Sequence, residues 1–104
     1  MTQATYTLSA DTLVIKGDLN LPLDIQFDLE TEALLESARK HGLKDIFIDV
    51  REVNYMGSQY IGALAAVAAE MKKMDGTLTV RARGKVGQLL CDTGLDRLMM
   101  LVVE

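Results

Sequence analysis

The chain has 104 residues, a length that fits one domain, and its 49% hydrophobic and 25% charged composition is that of a globular protein able to bury a core. A net charge of −4 argues against a general nucleic-acid binder, whose affinity comes from neutralising phosphates. One histidine and one cysteine exclude an internal disulfide and fall short of the roughly four ligands that zinc takes, so neither a metal nor another cofactor is expected.

Residues 1–4 carry no basic stretch leading into an apolar run. The longest segment free of charged and strongly polar residues, 60–69, is too short to span a bilayer. A cytoplasmic location without membrane insertion is the expectation.

Taken in chain order, 5–9 and 12–16 read as two short strands around an Ala10-Asp11 hairpin turn. Residues 17–22, Gly-Asp-Leu-Asn-Leu-Pro, read as a loop. A helix is predicted over 28–41, where Leu29, Ala33, Leu35 and Ala38 fall near one face. Acids gather at its start, Lys40 and His41 stand at its end, and Gly42 stops it, as the helix dipole and a left-handed cap favour.

Residues 45–50 form a predicted strand whose centre, Ile46-Phe47-Ile48, is apolar on both faces, which suggests a central strand covered on both sides. From 59 to 74 the period turns helical, through Ile61, Leu64, Ala65, Ala68, Met71 and Met74. Asp75-Gly76 is a turn, and 77–82 alternates with Leu78, Val80 and Ala82 on one face. Val86, Leu89 and Leu90 mark a short helix, and 99–103 a last strand. This order predicts one α/β domain over 1–104: a mixed, mostly parallel sheet of about five strands, an N-terminal hairpin and three or four helices. So few helices should leave much of one sheet face poorly covered.

The residues that could carry chemistry are sparse. Cys91 sits beside Leu89 and Leu90, which favours a small buried hydrophobe over a nucleophile. His41 at a helix end suits the dipole. Gly84-Lys85 lacks the upstream glycine and the following Ser or Thr of a phosphate loop, since Thr79 and Val86 stand there. Asp45 and Asp49 share a strand face, and Asp49 is expected to accept N–H bonds from the loop. No credible base–nucleophile pair emerges, so the chain is not expected to be an enzyme. Arg81, Arg83 and Lys85, with Lys72 and Lys73 near in sequence, read as a solvated basic edge or as a docking patch for an acidic partner.

Ser58 stands out. It falls where a strand and loop run into a helix, among unpaired N–H groups and the positive end of the dipole. That position suits first a helix cap worth about 1 kcal/mol, and also a phosphoryl group of about −1.5 to −2 charge.

Four segments in order carry a family resemblance. Gly17-Asp18-Leu19-Asn20 is similar to a Gly-Glu-Leu-Asp segment after the second strand. Ile48-Asp49-Val50 with Val53 is similar to a hydrophobic-Asp-Leu-Ser-x-Val strand. The run 56–64, Met-Gly-Ser-Gln-Tyr-Ile-Gly-Ala-Leu, is similar to Ile-Asp-Ser-Ser-Gly-Leu-Gly-x-Leu, and Thr93-Gly94-Leu95-Asp96 to a late Thr-Gly-Leu-Asp. Over nearly its whole length the chain resembles STAS domains of the bacterial anti-sigma factor antagonist type.

The resemblance implies a partner-switching module that binds an anti-sigma factor with serine-kinase activity. That kinase would phosphorylate Ser58 and break the complex, and a phosphatase would restore it. The implied docking surface takes in Asp18, Asn20, Tyr55, Gly57, Ser58, Gln59 and Tyr60. Gly57 stands where the family usually has Asp, Gln59 where it has a small residue, Tyr60 where it has Gly, and Asn20 where it has Asp. Gly57 and Tyr60 favour the alternative, an accessory STAS subunit in a constitutive stress-signalling or lipid-transport complex with Tyr55 and Tyr60 as exposed anchors.

Overall fold

The computed structural model describes residues 4–20 and 24–104. Its sheet has five strands in the spatial order of the chain: β1 (Thr5–Leu8), β2 (Thr12–Leu19), β3 (Asp45–Met56), β4 (Thr77–Ala82) and β5 (Met100–Val103). β1 and β2 form the predicted antiparallel hairpin, and every later pairing is parallel. Three α-helices make the crossovers, α1 (Ile25–His41), α2 (Ser58–Lys73) and α3 (Gly84–Asp92), with a short 3-10 turn at Leu95–Arg97 before β5. Among the described residues no helix is long and apolar enough to cross a membrane.

Strands that follow one another in a single direction, joined by right-handed crossovers, place every helix on the same side of the sheet. The burial pattern agrees. Leu13, Ile15, Ile46, Ile48, Val50, Leu78, Val80 and Ala82 are buried in one cluster with Leu34 of α1, Leu64 of α2 and Leu90 of α3. The opposite face stays open, as the small number of helices suggested. Its rows follow from the register: Thr12, Phe47, Thr79 and Met100 lie side by side, then Val14, Asp49, Arg81 and Val102. Phe47 is therefore only half-buried, which corrects the expectation that β3 is covered on both faces.

Three boundaries move by three residues or more. β2 runs on through Gly17, Asp18 and Leu19, which the sequence suggested were loop. A register irregularity falls there, and Gly17 takes φ 105°, a conformation glycine adopts without a Cβ clash. β3 runs on to Met56, because Asp18↔Tyr55 and Leu19↔Met56 extend the same ladder. α1 begins at Ile25 rather than 28. Its predicted end holds: Gly42 is left-handed at φ 62°, and its N–H donates to the Ala38 carbonyl. Cys91 is exposed rather than buried, since α3 buries Val86, Gly87 and Leu90 and turns Cys91 outward.

Candidate functional site

The carboxyl ends of β2 and β3 meet where α2 begins. The Gly57 N–H donates to the Leu19 carbonyl at 2.8 Å, tying this junction to the end of β2. Gly57, not Ser58, is the N-cap, and no side chain caps the helix. Ser58 is the first helical residue and is exposed. Among the described residues its hydroxyl makes no hydrogen bond. The expected cap role is thus not the one it plays, and Ser58 stands at the positive end of the α2 dipole.

The structure gathers most of the implied docking residues at this edge. Asp18 and Tyr55 are register partners at the ends of β2 and β3. Asn20 follows β2 and is half-buried, while Gln59 is exposed in the first turn of α2. Tyr55 is 53% exposed. Leu21 and Pro22, the end of the predicted loop, lie outside the described residues.

Tyr60 is not an exposed anchor. It is 1% exposed and packs edge-on against Phe27 at 5.0 Å between ring centres. Its phenolic oxygen accepts the Asp24 N–H at 2.7 Å. Asp24 is the N-cap of α1: its carboxylate accepts from the Gln26 N–H at 3.0 Å and from the Tyr6 hydroxyl at 2.9 Å. Tyr6 also meets Phe27 edge-on. Burial, then the Asp24 carboxylate, pushes the Tyr6 phenol well above its ordinary pKa, and burial raises Tyr60 as well. Asp24 and Tyr6 escaped the sequence reading because the α1 pattern only becomes regular after Asp28. The aspartate itself, a few residues before an acidic amphipathic run, was the available signal.

Asp49 lies on the open face. Its carboxylate accepts from the Arg51 backbone N–H, which lies within β3 rather than in the expected loop, and from the Arg51 guanidinium. Arg51 reaches on to Glu104 at 2.8 Å. The hydrogen bonds from Arg51 hold Asp49 below the usual carboxylate range, and the two acids raise Arg51. The sheet has no point where strand order reverses, so Asp49 does not sit at the crevice where doubly wound sheets bind ligands. Among the described residues no group of three His, Cys, Asp or Glu could hold a metal ion.

The sequence matches the family described as "Mlab, STAS domain" over residues 3–103. The chain belongs to the STAS domain family. No curated protein sequence matches it. Among solved structures it is similar to the anti-sigma factor antagonist SpoIIAA in its unphosphorylated form, with a TM-score of 0.69 and 16% identity over 98% of this chain and 90% of that one. It is also similar to a Thermotoga maritima protein described as a candidate anti-sigma factor antagonist, with a TM-score of 0.68 and 17% identity over 96% and 85%. At such identities the likeness shows a shared STAS fold. That fold places Ser58 at the start of α2, the helix that follows the central strand.

Proposed function

We propose that this STAS domain is a partner-switching module of the anti-sigma factor antagonist type. It docks an anti-sigma factor through the edge formed by the ends of β2 and β3 and the first turn of α2. The partner's serine-kinase activity places a phosphate on Ser58, and a phosphatase removes it. The observation that carries this reading is an exposed hydroxyl, engaged by no described residue, on a helix start that no side chain caps. A phosphate there meets the positive end of the helix dipole, so the fold persists while added bulk and charge repel the docked partner.

Intact-mass spectrometry of the protein from its native cells, with fragmentation across 53–64, tests this. One phosphate on Ser58 is the expected result. A chain unmodified under all growth and stress conditions rejects the switch.

A second reading, an accessory subunit in a constitutive complex, draws on Gly57 in place of the family's acid and on the "Mlab" description of the matching family. It predicts that Tyr55→Ala weakens the native complex while Ser58→Asp leaves it intact. The switching reading predicts loss of the complex with Ser58→Asp.

A further inference from the structure

The open sheet face carries a trough that the Ser58 edge does not explain. A cleft of about 240 Å³ between Thr12, Phe47, Asp49 and Arg81 adjoins, through Asp49, a second of about 240 Å³ that includes Val14, Arg51 and Arg83. The second adjoins, through Arg51, Glu52 and Arg83, a third of about 440 Å³ at the carboxyl edge of the sheet, between Val53 and Asn54 of β3 and Gly84, Lys85 and Val86 at the start of α3. From Phe47 to Asn54 the trough follows β3 for roughly 23 Å at the usual strand rise, the reach of about seven extended residues.

Its charge runs against that of the chain. Four cations line the three clefts against two carboxylates, in a protein of net charge −4. Both carboxylates are already engaged, Asp49 by Arg51 and Glu52 by Lys16. Arg81, Arg83 and Lys85 are exposed and form no ion pair among the described residues. Lys72 and Lys73, near them in sequence, end α2 and precede β4, so they stand at the other end of that strand. The basic cluster of the sequence is thus two separate places, and only one lies on the trough.

We infer that this trough is a docking surface for an extended acidic segment of a partner protein. Its carboxylates would meet Arg81, Arg83 and Lys85, and its apolar side chains would rest on Val14 and Phe47. The largest cleft, which holds Arg83 and Lys85, has no aromatic ring in its lining to stack a base, and its long, shallow course suits a peptide better than a nucleotide. The three clefts share no lining residue with the Ser58 edge, and the proposal stands whether or not Ser58 is modified.

Fluorescence anisotropy with the full chain tests it, using a labelled Glu-Glu-Leu-Glu-Glu-Leu-Glu-Glu peptide at low salt. The wild type should bind, and binding should weaken as salt rises. The Arg83→Glu, Lys85→Glu double variant should bind about tenfold or more weakly, and Lys72→Glu should match the wild type. Circular dichroism confirms that these surface variants are folded. Absence of binding by the wild type overturns the proposal. So does equal loss in Lys72→Glu, which would make the attraction diffuse. Displacement of the peptide by ATP at lower concentration than by unlabelled peptide also overturns it and reassigns the trough to nucleotides.

Discussion

Helices α1 and α2 begin on the same side of one sheet, and their starts are built in opposite ways. The start of α1 is closed: Asp24 caps it with its carboxylate, the Tyr60 hydroxyl accepts its N–H, and Tyr6 holds the carboxylate in place. The start of α2 is open: Gly57 offers no side chain, and Ser58 points its hydroxyl into solvent. Yet the two are joined, because Tyr60, in the first turn of the open helix, completes the cap of the closed one. The start of α2 lacks the stabilisation of a side-chain cap, and the buried Tyr60 ties it to the start of α1 beneath.

Removing the joint should have the largest effect. Tyr60→Ala deletes a fully buried ring and the acceptor of the Asp24 N–H, and should lower unfolding stability by about 3–5 kcal/mol in urea denaturation. A lost complex in that variant would therefore report unfolding rather than a lost contact, which is why Tyr55 is the proper probe of the surface. Asp24→Ala strips the side-chain cap from α1 together with the acceptor of the Tyr6 hydroxyl, leaves the Tyr60 ring in place, and should cost about 1–2 kcal/mol by the same measurement.

The third test uses pH. Tyr6 has its folded-state pKa raised, so the native state keeps a proton that the unfolded chain gives up. Its contribution is fully present below the ordinary tyrosine value of 10 and is lost as pH rises above it. Alkaline denaturation between pH 9 and 12 should be shallower for Tyr6→Phe than for the wild type, and the variant should lose about 1 kcal/mol at neutral pH with its hydrogen bond to Asp24.

The smallest effect should come at the open start. Ser58→Asp places a negative charge in the first turn of α2 and should stabilise the fold by about 0.3–1 kcal/mol at low salt. A clear destabilisation would show that the Ser58 hydroxyl is engaged after all and would remove the contrast between the two helix starts.

Much of the fold was legible because local patterns agreed with it. The alternation of Leu78, Val80 and Ala82 gave β4 its observed limits, and Gly42 gave α1 its end. The tail of β2 was not legible, because Gly17 and Asn20 read as loop until Leu19 is seen pairing with Met56. At the site, Ser58 and the start of α2 were readable from the strand-to-helix transition. The burial of Tyr60 was not, because an aromatic residue in a first helical turn can face either way and only Phe27 and Asp24, more than thirty positions earlier, decide it.

By itself, then, the sequence determined the element order, the mostly parallel pairing and the lone serine at a helix start, because hydrophobic period, glycine and local charge act over a few residues. The tertiary structure alone decided which face of the sheet stays bare and which cations share a trough. It also decided that one tyrosine braces the site from below while another remains on its surface. Those outcomes depend on strand order and on contacts between distant segments, which no local pattern encodes.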